Sequence, residues 1–161
     1  MIPTSTFAIR RFVESDLVDA ARIDRTAFPS HESDPQSVNH LAEELVRPWA
    51  YLTVATAPAA GNERERILGF LVAWFVADEV HLLNVAVDEA ERRRGVGRAL
   101  VSDLVRAASE RASEKVFLEV RTKNAAAVAL YQSMGFETLS IRKQYYSDGE
   151  DAFDMMLLPT K

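Results

Sequence analysis

Residues 67–76, ILGFLVAWFV, are apolar nearly throughout, and a second apolar-rich run, VHLLNVAV at 80–87, begins only a few residues later. A strand of the first kind belongs in the interior of a sheet. The turn around Ala77-Asp78-Glu79 is short, which predicts that the two runs lie side by side and antiparallel. A buried central hairpin of this sort needs other elements to cover it, and the rest of the chain supplies helices and further strands.

On the N-terminal side, residues 6–13 (TFAIRRFV) read as a first strand. Residues 14–28 place apolar side chains at 17, 20, 21, 23, 27 and 28, a helical face with Ser15 as a cap and Pro29 as the stop. After the polar loop SHESDP, a second helix is expected from about Pro35 to Arg47, with Pro35 in its first turn. Residues 50–57 form a strand, and the polar stretch PAAGNERER leads to the hairpin. Beyond it come helix 97–112, strand 115–121, helix 124–134, strand 136–146 and strand 152–158. The order β-α-α-β-β-β-α-β-α-β-β predicts an α/β (α+β) chain with a mixed sheet and helices on its faces. The length, 161 residues, suits a single domain, 1–161, with a substantial core.

Composition closes several routes. A net charge of −5 disfavours sequence-independent binding to nucleic acid or to an anionic membrane. There is no cysteine, so disulfides, thiolate metal sites and cysteine nucleophiles are excluded. His31, His40 and His81 are dispersed and read as non-ligands, so no metal site is expected. The first residues, MIPTSTFAIRRF, lack a signal-peptide stretch. No apolar run approaches the roughly 20 residues of a membrane span. The cytoplasm is the expected compartment.

Strand 80–87 runs into DEAERRRGVGRALVSDLV. The following helix carries Leu100, Leu104, Val105 and Ala108 on one face. At its start, Gly95 and Gly97 allow a tight turn that brings backbone N–H groups close to an anion. Arg92, Arg93, Arg94 and Arg98 add positive charge beside the positive end of the helix. A solvated basic turn would look the same in isolation. A Walker loop would need Lys and Ser/Thr after the last glycine, where Arg98-Ala99 stand. A Rossmann fingerprint would need Gly or Ala at position 100, which is Leu. What remains is Arg-x-x-Gly-x-Gly opening a helix after an apolar strand.

That loop resembles the pyrophosphate-binding motif of the GCN5-related N-acetyltransferases, and the element order matches their fold along nearly the whole chain. The resemblance implies a mostly antiparallel sheet splayed between the fourth and fifth strands, with helices on both faces. It implies acetyl-CoA as co-substrate. The pantetheine arm would pair with backbone groups of Val85, Ala86 and Val87, and the pyrophosphate would rest on Arg93, Arg94, Gly95, Val96, Gly97 and Arg98.

Strand 115–121 and the next helix read LEVRTKNAAAVALYQSMGF from Leu118. Alternation puts Phe117, Glu119 and Arg121 on one strand face and Leu118 and Val120 on the other. A carboxylate at Glu119 is costly in a mostly apolar strand unless paired or solvated. It is either an ion-pair partner, with Arg121 for example, or a base facing a wet cleft. Asn124 suits a helix N-cap and Gly135 a helix stop. Tyr131 lies two turns below Asn124 on the same face, as a half-buried core residue or a proton donor. Together these residues resemble the C-terminal half of the bacterial RimI type, the N-terminal acetyltransferases of ribosomal protein S18. The tyrosine pair, acidic turn and methionine-rich end of IRKQYYSDGEDAFDMML extend the likeness. The resemblance implies Glu119 as general base, Tyr131 as general acid and Asn124 as a coenzyme A contact. The implied acceptor is a protein N-terminus, that of ribosomal protein S18.

Acetyl transfer needs the amine deprotonated and the leaving thiolate stabilised or protonated. An α-amine with a pKa of roughly 8 is about one-tenth free at neutral pH, whereas a lysine is free at well under ~0.1%. A weak base therefore serves an α-amine more easily. The resemblance puts the acceptor between the 28–36 loop and the 145–151 loop. Tyr145 and Tyr146 would line its groove, and Glu32, Asp34, Asp148, Glu150 and Asp151 would attract a basic peptide or merely be solvated. The first loop departs from the RimI pattern at Ser30-His31-Glu32-Ser33-Asp34. Acetylation of a lysine or small amine, and a non-catalytic coenzyme A-binding module, are the competing readings. The presence of both Glu119 and Tyr131 speaks against the module.

Overall fold

The computed structural model describes residues 6–27, 37–58, 61 and 64–160. Among these residues, seven strands are hydrogen-bonded in the order β1-β2-β3-β4-β5-β7-β6. They are β1 (Ala8–Arg11), β2 (Ala50–Ala57), β3 (Arg66–Val76), β4 (Glu79–Val87), β5 (Lys115–Arg121), β6 (Glu137–Arg142) and β7 (Ala152–Leu157). The flanking helices are α1 (Leu17–Ala27), α2 (Ser37–Leu45), α3 (Val96–Glu110) and α4 (Ala125–Ser133). The sheet is mostly antiparallel, and β4 runs parallel to β5 from Glu79↔Lys115 to Leu82↔Leu118. The hairpin expected from the two apolar runs is β3–β4, turned by Ala77 at φ 54° and Asp78.

The chain divides into two compact units, one taking the sequence up to Ala73 plus Asn84–Leu104, the other Trp74–Leu83 plus Val105–Lys161. In the first, α1 and α2 cover β2 and β3. Ala20, Ala21 and Ile23 of α1 and Leu41 of α2 join Leu52, Val54, Ile67, Phe70 and Ala86 in one buried cluster. α3 buries Leu100, Val101, Leu104, Ala107 and Ala108, while Val105 is only half-buried, so its inner face is centred differently from the expected one. In the second unit, β7 lies between β5 and β6, pairing antiparallel with each. Val116, Leu118 and Val120 of β5 are buried, while Phe117, Glu119 and Arg121 are half-buried. That is the alternation expected of the strand.

Two boundaries differ from expectation in ways that the bonding explains. The first helix is preceded by a separate 3-10 turn, Glu14–Asp16, and Ser15 is not its cap. The Asp16 carboxylate accepts the Val13 N–H at 2.9 Å and is also held by Arg10 at 2.8 Å. These bonds fix a tight turn where the apolar periodicity suggested α-helix. The second helix begins its described residues at Ser37, and the expected roles of Pro29 and Pro35 lie outside the described residues. β6 ends at Arg142 rather than continuing through Tyr146. Gln144 takes φ 50°, and its N–H donates to the Asp151 carboxylate at 2.9 Å, which turns the chain out of the sheet.

Candidate active site

One group of candidate residues is built at the end of β4. Gly69 of β3 lets β4 approach closely: a Cβ there would stand 2.7 Å from the Ala86 carbonyl oxygen and 3.3 Å from the Val87 Cα. Glycine is required by that contact, a role invisible inside an apolar run. Leu68 C=O also accepts the Asp88 N–H at 2.8 Å. The Asp88 side chain caps the 3-10 turn Glu89–Glu91, accepting from the Ala90 N–H at 3.3 Å.

The loop that follows is set by a buried carboxylate. Glu91 is 3% exposed and is gripped by the guanidinium groups of Arg66 and Arg94. Arg94 also donates to the Thr6 hydroxyl at 3.2 Å. Arg94, expected on the pyrophosphate, therefore spends its guanidinium on holding the loop. Arg93 and Gly95 both have positive φ, 65° and 81°. No atom lies within 4 Å of a Cβ built on Gly95, so glycine serves conformation there, not space. α3 then starts at Val96, and its first helical hydrogen bond runs from the Ala99 N–H to the Gly95 carbonyl at 3.0 Å. The preceding N–H groups of Val96 and Gly97 fall at the helix positions that have no intrahelical acceptor, the arrangement that suits an anion. Breaking the anchor should loosen this cradle. Glu91→Ala is expected to cost about 1–2 kcal/mol, because two half-exposed arginines lose the carboxylate that fixes the loop. Thermal denaturation and the KM for acetyl-CoA measure the two consequences, and both should worsen together.

A second group is carried by β5, α4 and the loop before β7. Glu119 is half-buried in mid-strand, opposite Asp154 of β7. Asp154 holds Arg142 at 3.2 Å. Among the described residues Glu119 has no hydrogen-bond or salt-bridge partner. The alternative of a Glu119–Arg121 pair is not realised, since Arg121 turns instead to Asp148 at 2.9 Å and Glu150 at 3.1 Å. Asn124 caps α4, its side-chain oxygen accepting the Ala127 N–H at 3.2 Å. Tyr131 is buried on the same helix, with its ring edge-on to Phe136 at 5.8 Å. Burial, helped by nearby Tyr146, pushes its phenol up to about 12. It is a proton donor at every physiological pH. Gly135, at φ 99°, ends the helix as expected.

Tyr145 and Tyr146 pack edge to face at 5.0 Å, in the turn rather than in the strand. The Tyr146 phenol is raised by burial and drawn down by the Arg121 guanidinium, which lies 4.0 Å over its ring. The acidic loop residues are engaged within the chain. Asp148 is held below the usual carboxylate range by the Glu150 N–H and by Arg121. Asp151 is lowered by the Gln144 N–H and by Lys143. The expected pull of these acids on a basic peptide is thus largely satisfied internally. Glu32 and Asp34 lie outside the described residues. Among the described residues there is no cluster that could hold a metal ion, and no helix is long and apolar enough to cross a membrane.

The family model of the Acetyltransferase (GNAT) family matches residues 17–136, which include the Arg93–Arg98 loop, Glu119, Asn124 and Tyr131 and stop short of the 145–151 loop. The chain belongs to the GNAT acetyltransferase family. It is an acetyl-CoA-dependent N-acetyltransferase. Among GNAT relatives, the [ribosomal protein bS18]-alanine N-acetyltransferase of Escherichia coli K12 is 38% identical over 125 residues, covering 70% of this chain and 81% of the relative. The N-alpha-acetyltransferase of Sulfolobus acidocaldarius is 32% identical over 154 residues, covering 92% and 90%. The crystal structure of the ribosomal-protein-S18-alanine N-acetyltransferase from Escherichia coli aligns with a TM-score of 0.80 and 33% identity, over 96% of this chain and 95% of that one. The GNAT fold inferred from the element order is therefore the fold found.

Proposed function

We propose that residues 1–161 act as one GNAT domain that acetylates the N-terminal α-amine of a protein, with an S18-type terminal alanine as acceptor. The observation that carries the acceptor class is the similarity to two enzymes, one named as the [ribosomal protein bS18]-alanine N-acetyltransferase and one as an N-alpha-acetyltransferase. In this reading the coenzyme pyrophosphate rests on the Arg93–Arg98 loop, chiefly on the N–H groups of Val96 and Gly97. Arg93 supplies charge, and Arg94 and Gly95 hold the loop's shape. The pantetheine arm pairs with the backbone of Val85, Ala86 and Val87. Asn124 already uses its side-chain oxygen as a cap, which leaves its amide hydrogens for coenzyme A.

The amine nitrogen attacks the thioester carbonyl carbon, and the C–S bond breaks directly, with no acyl-enzyme. Glu119 accepts the proton lost by the amine, itself or through a water. Backbone N–H groups of β4 stabilise the tetrahedral oxyanion. Tyr131 gives its proton to the departing thiolate. A phenol near 12 is a weaker acid than a free one. The environment that raises it also raises the proton affinity of a thiolate beside it, so the transfer stays matched. Solvent exchange then restores both groups. Tyr145 and Tyr146 line the acceptor side.

Release of coenzyme A, followed with a lysine-free peptide that begins with alanine, tests this reading. Turnover is expected, and blocking the peptide N-terminus should abolish it. Turnover with small amines but none with the free peptide would move the assignment to a small-molecule acetyltransferase.

A further inference from the structure

The sequence presents the 145–151 segment as an acidic, solvated loop, but its bonding is that of a latch closed on one residue. Arg121 donates from one guanidinium nitrogen to the Asp148 carboxylate at 2.9 Å and to Glu150 at 3.1 Å. Its guanidinium carbon stands 4.0 Å over the Tyr146 ring. The other Glu150 oxygen accepts the Lys123 N–H at 3.2 Å, tying the loop to the start of α4's cap. Within the loop, the Tyr146 N–H donates to the Glu150 carbonyl at 3.1 Å and the Gly149 N–H to the Tyr146 carbonyl at 2.9 Å. Arg121 lies two residues beyond Glu119 on the same face of β5. One side chain thus joins the strand that carries the base to the loop that carries the aromatic pair.

We propose that Arg121 is a positioning residue for the acceptor: it holds Tyr146 and the 145–151 loop in the shape that receives the amine-bearing peptide. This rests on the reading that Glu119 serves an amine on that side of β5. The latch uses features that only arginine combines. A guanidinium can bridge two carboxylates while lying flat on an aromatic ring, whereas an ammonium is a point charge. The loop acids accordingly shape the site and do not recruit the substrate's charge.

The test compares wild type with Arg121→Ala, Arg121→Lys and the double variant Asp148→Asn/Glu150→Gln. Peptide KM, acetyl-CoA KM and kcat are measured alongside amide hydrogen exchange over 145–150. Arg121→Ala should raise the peptide KM about tenfold or more, the scale set by reordering a loop at each binding event. The acetyl-CoA KM should stay within about twofold, since binding of the cofactor is not the interaction removed. Amides of the loop should exchange faster. Arg121→Lys should fall between wild type and alanine, and the double carboxamide variant should reproduce Arg121→Ala. Equal rises in both KM values, or an unchanged peptide KM in the alanine variant, would overturn the proposal. Should wild type fail to acetylate any peptide, the functional reading fails. The exchange comparison then judges the latch by itself, and unchanged exchange in Arg121→Ala sinks it.

Discussion

Replacing Tyr131 with phenylalanine is expected to lower kcat by about 10²–10³-fold, the usual contribution of a positioned proton donor. The acetyl-CoA KM should move by less than about threefold, because the interaction proposed for Tyr131 develops only as the thiolate departs. Folding should be nearly untouched at neutral pH: the hydroxyl has no hydrogen-bond partner among the described residues, and the ring keeps its contact with Phe136. Alkaline pH separates the two proteins. The folded phenol titrates near 12, above the unfolded value of 10.0, so the fold prefers the neutral form. That contribution is fully present below pH 10 and is lost as pH rises through 12. It amounts to about 2–3 kcal/mol at most. Melting temperatures between these limits should therefore fall more steeply for wild type than for Tyr131→Phe. Parallel curves would show that the fold does not raise the phenol, and a kcat within a factor of about two of wild type would remove Tyr131 from the chemistry.

Glu119→Gln is the second large effect. The substitution keeps the size of the side chain and removes its ability to take a proton. A fall in kcat of about 10²–10⁴-fold is expected near neutral pH. What activity survives must come from amine that is already free. The residual rate should therefore rise about tenfold per pH unit below the amine pKa of roughly 8, and level off above it. Wild type should depend on pH less steeply, because its base removes the proton during reaction. An unaltered rate and an unaltered pH profile in Glu119→Gln would show that another group is the base.

The sequence made some of this legible because the signals were local. The β3–β4 hairpin follows from an apolar run and a two-residue turn, and it is found at 66–87. Asn124 is a cap because its side chain reaches a backbone N–H three residues on, and that bond is present. The strict alternation of β5 put Glu119 on the half-buried face. What escaped was long-range pairing. Nothing near Arg121 in the sequence marks Asp148 and Glu150 as its partners, 27 and 29 positions away. Arg94 looked like one more phosphate ligand in a basic run until the burial of Glu91 claimed it. Gly69 was hidden because apolar patterning does not distinguish a packed small residue from one that admits a neighbouring backbone. The tyrosine pair was extended into β6 because the turn depends on Asp151, seven residues beyond Gln144.

The central claim is that the acceptor is an α-amine, and one peptide tests it. It begins with a free alanine, as S18-type substrates do, and carries a single internal lysine. After partial reaction with acetyl-CoA, fragmentation mass spectrometry locates the acetyl group. Modification at the N-terminal alanine, with the lysine untouched, is the expected result. Acetylation confined to the lysine would contradict it.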